Sequence, residues 1–158
     1  MNIKQVIKSD MRFKSGAVEA VRSFRERCRR DGCTLAKIDR ATAENESDVR
    51  AELISQRFAH MESLLEELSK VYVVITPQLV HESKDHPMAC ALGCYEPFQN
   101  RITMFDRLSI ITLLHEFAHH IKGCSERVCI KWSVNLFDRA YPGRVGRLNP
   151  HNHLLRVS

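Results

Sequence analysis

The chain has 158 residues, of which 44% are hydrophobic and 27% are charged, and its formal net charge is +5. This composition excludes a mainly disordered chain and predicts one globular domain over residues 1–158. No run of about 18 apolar residues could span a membrane, and the first residues form no apolar block typical of a signal peptide, so we expect a cytoplasmic protein.

Two amphipathic helices are predicted in the N-terminal part, residues 1–70. Ser15 can cap a helix over about 16–30, in which apolar residues recur on one face. Thr42 can cap a longer helix over about 43–69, whose apolar residues recur every three or four positions. We therefore expect this part of the chain to be helical.

Positive charge is concentrated in residues 1–40, which carry 11 Lys and Arg against 5 Asp and Glu. Four of these charges, Arg25, Arg27, Arg29 and Arg30, form a cluster on the first predicted helix. Such a cluster can contact the phosphates of a nucleic acid partner. The alternative is a solvated helix face that pairs with the acidic helix after it, and the sequence leaves both interpretations open.

A strand and a loop are predicted after the long helix. Residues 71–76 are β-branched and aromatic, and Pro77 follows them, which is typical of a strand. Residues 81–88 are polar and predict a loop, in which His81 and His86 are expected to be ordinary surface histidines.

The next segment predicts a β-hairpin. Residues 89–95 and 101–105 have the composition of short strands, and the turn residues of 96–100 separate them. A small antiparallel sheet packed against helices makes the expected fold class α+β. Two further helices are predicted over about 107–122 and 125–139, and a loop-like tail over 141–158.

The first of these two helices contains an H-E-x-x-H motif that runs from His115 to His119. Histidines four residues apart project from one face of a helix, and two imidazoles can bind one Zn²⁺ at ~2.0–2.1 Å each. Glu116 is rotated by about 100° from His115, so it can act as general base beside the metal without being a ligand. Apolar residues on the opposite face are expected to anchor the helix and to leave both histidines in a cleft, which the strand 101–105 could edge.

The third ligand of such a site is expected to be Glu126. A catalytic zinc usually has three protein ligands and an open water position. If the two helices pack antiparallel, as their short connection favours, Glu126 returns to the level of His119. His151 and His153 in the tail are alternatives; Asp138 is another, although it lies about 18 Å further along a straight helix.

Other polar residues could support the chemistry. Tyr141, His151 and His153 are candidates for stabilising an oxyanion, and the sequence does not rank them. His120 lies one turn after Glu116 and is expected to flank the metal without binding it.

The six cysteines fall in pairs four or five residues apart. In a chain of this length without a secretion signal, we expect reduced and mostly packed thiols rather than disulfides. A second metal site formed by His86, Cys90 and Cys94 is the alternative, although the spacing matches structural zinc sites only weakly.

The region around the motif resembles the zincin metallopeptidases. The resemblance is carried by Leu113 to His120 and by the preceding segment from Asn100 to Phe105, and it covers roughly residues 71–140. Only the five-residue motif is highly specific. The resemblance implies zinc ligands at His115 and His119, and a catalytic glutamate at Glu116.

The identity of the third ligand distinguishes groups within this family. A glutamate ligand, here Glu126, is similar to the pattern of the gluzincins, whose small members include the SprT-like and ImmA/IrrE-like domains. SprT-like proteins commonly use a third histidine, which here would be His151 or His153. They act on proteins attached to DNA, so the resemblance is compatible with a basic surface.

Two functions are therefore expected as alternatives. The first is a zinc-dependent peptidase, whose protein or peptide substrate is held as an extended strand beside the cleft. The second is a nucleic-acid-associated module with a structural or inactive zinc site. Glu116 favours the enzyme, because a purely structural site needs no carboxylate beside its ligands.

Overall fold

The structure is a computed structural model that describes residues 6–85 and 92–144. The predicted α+β class is confirmed. The helices are α1 (Ala17–Arg30), α2 (Leu35–Ala43), α3 (Ser47–Tyr72), α4 (Ile110–Lys122) and α5 (Glu126–Ala140), and the strands are β1 (Gln78–Glu82), β2 (Gly93–Glu96) and β3 (Arg101–Phe105). In these two ranges, no helix is both long and apolar enough to cross a lipid bilayer.

The strands form one mixed sheet in the order β1-β3-β2. β2 and β3 form the predicted hairpin and pair antiparallel, whereas β1 pairs with the opposite edge of β3 in parallel. The prediction of an antiparallel sheet is therefore wrong in this respect. Residues 89–91 of the predicted hairpin lie outside the described residues, so the first strand of the hairpin is confirmed only from Gly93.

The first strand lies later in the chain than the sequence predicts. Residues 71–76 do not form a strand, because α3 continues through Tyr72, whose ring packs against Phe117 and Trp132 with ring centroids 6.1 Å and 5.7 Å apart. Core packing of the helix thus overrides the β propensity of this segment. The strand begins at Gln78 instead and includes His81, which was predicted to lie in a loop.

The helical N-terminal part also differs from its prediction in the residues that cap its helices. Ser15 does not cap α1, because the N-cap residue is Gly16 and no side chain caps this end. Thr42 does not cap the long helix: it lies inside α2, and its hydroxyl donates to the Ile38 carbonyl at 3.0 Å. Thr34 caps α2 by accepting a hydrogen bond from the Lys37 N–H at 3.3 Å. The predicted long helix 43–69 corresponds to α3, which begins later, at Ser47, and α2 is an additional helix that the sequence analysis did not predict.

The core lies between the α4–α5 pair, the sheet and the N-terminal helices. α4 and α5 run antiparallel, since Phe117 packs against Trp132 while His119, near the end of α4, lies beside Cys129, near the start of α5. Among the described cysteines, Cys28, Cys33 and Cys129 are buried as expected for packed thiols, whereas Cys94 and Cys124 are exposed. Tail residues 145–158 lie outside the described residues, as do His86 and Cys90 of the alternative metal site.

Candidate metal centre

The helix that carries the H-E-x-x-H motif, α4, is covered by α5 on one side and by β2 and β3 on another. Leu113, Leu114 and Phe117 are fully buried and anchor the helix, in line with the predicted apolar face. His115 is also buried, with 3% of its surface exposed, whereas His119 is partly exposed. The two histidines therefore lie where the helix emerges from the core.

Three side chains converge beside this helix. The Nε2 atoms of His115 and His119 are 3.2 Å apart. The carboxylate of Glu126, the first residue of α5, brings Oε2 within 3.1 Å of His115 Nε2 and Oε1 within 2.6 Å of His119 Nε2. The structure thus brings together the two predicted histidines and the residue predicted as third ligand.

A hydrogen bond to the backbone fixes the orientation of the His119 ring. Nδ1 lies 2.9 Å from the Gly123 carbonyl and donates its proton there, so Nε2 is the nitrogen that faces His115 and Glu126. The thiol of Cys129 also donates to the Gly123 carbonyl, at 3.4 Å. The end of α4 therefore holds the His119 ring in the orientation and tautomer that a metal ligand requires.

The protonation of His115 depends on its burial. Burial lowers the pKa of His115 to about 4, although the nearby Glu126 carboxylate acts in the opposite direction. Its imidazole is therefore neutral at neutral pH. Its Nδ1 atom is buried and accepts or donates no hydrogen bond within the described parts of the chain.

The side chains of the H-E-x-x-H motif lie close enough together to hold a metal ion. One ligand atom each from His115, Glu116 and His119 lies within 4.8 Å of the others, so this group could hold a cation. Ligands at ~2.0–2.1 Å from a tetrahedral zinc ion are about 3.3 Å apart, close to the separation of the two Nε2 atoms.

Glu116 lies beside this cluster in a buried position, with 7% of its surface exposed. Burial raises the pKa of Glu116 to about 7, while His119 and a hydrogen bond from the Tyr95 backbone N–H act in the opposite direction. The backbone of β2 therefore contacts the glutamate of the motif directly.

Gly93 allows this close approach of β2 to α4. A Cβ atom at this position would stand 2.8 Å from Thr112 Cγ2 and 3.2 Å from Glu116 Cγ. Thr112, Glu116 and His120 are spaced four residues apart and form the face of α4 that meets β2. Sequence reasoning missed Gly93, although a glycine inside a predicted strand signals a close backbone approach.

A cavity of about 460 Å³ opens beside the candidate metal ligands His119 and Glu126. Its walls include Glu116 and His119 of α4, Glu126 of α5, and Gly93 and Tyr95 of β2. The strand that borders the cleft is therefore β2, and the prediction that residues 101–105 edge it is wrong. β3 is the central strand of the sheet, so both of its edges are already paired.

The outer edge of β2 presents backbone groups to this cavity. Leu92 accepts a hydrogen bond from the Phe105 N–H at 3.0 Å, so the antiparallel alternation directs the backbone groups of Gly93 and Tyr95 away from β3. The Tyr95 N–H bonds Glu116, and the Tyr95 carbonyl lies on the same edge.

His120 flanks the cluster and takes part in a separate chain of hydrogen bonds. Its Nε2 lies 2.7 Å from the Ile75 carbonyl and donates to it, so Nδ1 accepts the proton of the Tyr95 hydroxyl at 2.6 Å. His120 thus orients Tyr95 at the cavity wall. The sequence did not single out Tyr95, because its proximity to His120 depends on the pairing of β2 with α4.

Several other candidates from the sequence do not reach the cleft. The Tyr141 hydroxyl is buried and donates to the Val21 carbonyl at 2.9 Å, so it is not an oxyanion donor in this arrangement. Asp138 lies twelve residues after Glu126 on the same helix, about 18 Å away along its axis. His151 and His153 lie outside the described residues.

Comparison of the chain with protein-family models, with curated proteins and with solved structures finds no match.

Proposed function

We propose that the protein is a zinc-dependent metallopeptidase. The observation that carries the proposal is the convergence of His115 Nε2, His119 Nε2 and the Glu126 carboxylate beside a buried Glu116. Two imidazoles and one carboxylate form a donor set that zinc favours in catalytic sites. A zinc ion held there would act as a Lewis acid and activate a water molecule for attack on a carbonyl.

Glu116 is the proposed general base. It adjoins the ligands, and the Tyr95 N–H fixes one side of its carboxylate, so the other oxygen can accept a proton from the attacking water. His115 and His119 remain neutral ligands, and the Gly123 carbonyl orients His119. These roles need no movement of α4, since Glu116 and His119 already line the cavity and His115 Nε2 lies 3.2 Å from His119 Nε2.

A polypeptide substrate fits the edge of β2. The backbone groups of Gly93 and the Tyr95 carbonyl point away from β3, and an extended peptide can add to such an edge through main-chain hydrogen bonds. The added peptide would pass between β2 and Glu126, which places its backbone carbonyls beside Glu116 and His119. This arrangement favours a peptide bond over an isolated small ester as the substrate.

The function is tested by hydrolysis of pooled quenched-fluorescent peptides. The purified protein should cleave at least one pool, lose the activity on treatment with a zinc chelator, and regain it when zinc is restored. The His119→Ala variant, treated in the same way, should not regain activity. Cleavage that persists undiminished after chelation, or that His119→Ala retains, would contradict the proposal.

A further inference from the structure

A second cavity, of about 370 Å³, lies away from the cavity that Glu116, His119 and Glu126 line. It is bordered by α1, the first turn of α2, Arg57 of α3, the start of α4 and the end of α5, and it shares no lining residue with the cavity beside Glu116. Its volume is at the lower end of the ~300–1,000 Å³ typical of small-molecule sites.

The side chains around this cavity are unusually rich in positive charge. Arg25 and Arg29 of α1, Arg57 of α3 and Arg144 line it, and its lining includes no Asp or Glu. Burial lowers the pKa of Arg25, and the charges of Arg29 and Arg144 lower it further. Like charges are thus held near one another around an open space, which is unfavourable unless an anion offsets them.

Arg57 is the most informative of the four, because it is buried, with 5% of its surface exposed. Its guanidinium donates to the Leu108 carbonyl at 2.7 Å and to the Cys33 carbonyl at 3.3 Å, and it lies 5.1 Å from the centre of the Phe24 ring. Among the described residues, no carboxylate forms an ion pair with it. Buried charges in proteins are usually paired, so this guanidinium is suited to an anionic ligand.

The structure separates the basic residues of α1 into two groups. Arg27, whose side chain is mostly buried, pairs with Glu67 at 3.0 Å, and the exposed Arg30 pairs with Asp31 at 3.4 Å. Arg25 and Arg29 form no ion pair with a carboxylate in the ranges that the structure describes, and they point at the cavity. Arginines that are neighbours in the sequence therefore have two kinds of surroundings: Arg27 and Arg30 pair with carboxylates, whereas Arg25 and Arg29 line the cavity.

The rest of the lining indicates what accompanies the charge. The first turn of α2, at Leu35 and Ala36, adds backbone N–H groups and the positive end of a helix dipole. Phe24, Ile110 and Phe137 form an apolar floor. A ligand that satisfies both parts carries a multiply charged anionic group and an apolar body.

We propose that this cavity binds a nucleotide, whose phosphate would meet the arginines and whose flat base would stack on the apolar floor. Phosphate suits the site better than a single carboxylate, because guanidinium groups bind its oxygens in pairs and four of them line the cavity. The base of the nucleotide would lie on the floor formed by Phe24, Ile110 and Phe137. This site is independent of the proposed peptidase centre.

Isothermal titration calorimetry with adenosine monophosphate tests the proposal. The nucleotide should bind the parent protein more tightly than inorganic phosphate does, and adenosine should bind more weakly than either. The Arg25→Gln/Arg29→Gln variant should lose at least about tenfold in affinity, since each charge-assisted hydrogen bond contributes roughly a factor of ten. Arg29→Gln alone, at an exposed position, should show part of the loss without affecting the fold.

The matched control is Arg30→Gln/Arg40→Gln, which removes the same charge from exposed positions outside the cavity. This variant should bind the nucleotide nearly as well as the parent. Equal losses in both double variants would overturn the proposal, because binding would then reflect net charge alone. It would also be overturned if millimolar nucleotide gave no binding, or if adenosine bound as tightly. Duplex DNA binding that depends on Arg25 and Arg29, without nucleotide binding, would assign the surface to nucleic acid instead.

Discussion

The Cα atom of Gly93 lies so close to Glu116 that a Cβ atom there would stand 3.2 Å from Glu116 Cγ. This contact joins the strand that borders the cleft to the helix that carries the motif. The Tyr95 N–H, two residues further along β2, donates to the same carboxylate. The position of Glu116 therefore depends on β2 as well as on its own helix.

Gly93→Ala is expected to disturb both the fold and the site. The new methyl group would meet Thr112 Cγ2 at 2.8 Å, and overpacking of this kind costs about 1–3 kcal/mol of unfolding free energy. Chemical denaturation measures the loss. The double variant Gly93→Ala/Thr112→Ser removes the opposing methyl group and should recover part of it; no recovery would show that the contact with Thr112 is not the cause.

The proposed ligand Glu126 can be tested separately from the fold. Glu126→Ala should lower zinc affinity by at least about 100-fold, beyond the ~10–100-fold that contacts outside the ligand set contribute. Its side chain is half exposed, so the melting temperature without metal should change little. Asp138→Ala, on the same helix, is the control and should bind zinc normally. If truncation after Asn149 strips the metal and Glu126→Ala does not, the third ligand is His151 or His153.

The end of α3 offers a test of the corrected secondary structure. Val73 ends the helix with φ 54, a left-handed conformation that costs a β-branched residue about 1–2 kcal/mol. With 83% of its surface exposed, its side chain contributes little packing. Val73→Gly should therefore raise the unfolding free energy by about 1 kcal/mol. Val74→Gly should not stabilise the protein, and a destabilising Val73→Gly would favour the strand predicted from the sequence.

Much of the candidate site follows from local sequence patterns. The spacing of His115 and His119 needs only a helix to place both imidazoles on one face. The short connection at Gly123 needs only antiparallel packing to return Glu126 to the same level. Both conditions are met in the structure, because the apolar faces of α4 and α5 are strong enough to determine how the helices pack.

The features that the sequence did not reveal depend on contacts distant along the chain. The strand propensity of residues 71–76 yields to the packing of Tyr72 against two helices that follow much later. The first strand begins at Gln78 instead, and its parallel pairing with β3 makes the sheet mixed rather than antiparallel. The roles of Gly93 and Tyr95 appear only once β2 is placed against α4.

The hydrolytic rate of Glu116→Gln, measured on whichever peptide the parent cleaves, tests the proposed function most directly. Glutamine keeps the shape of the side chain and an oxygen that can accept the Tyr95 N–H, but it cannot take a proton from water at neutral pH. Because a positioned general base contributes roughly 10²–10⁴-fold, the variant should retain stoichiometric zinc and a parent-like melting temperature while its kcat/KM falls at least about 100-fold. Equal kcat/KM values for zinc-loaded variant and parent would contradict the assignment of Glu116 as the base and of this centre as the active site.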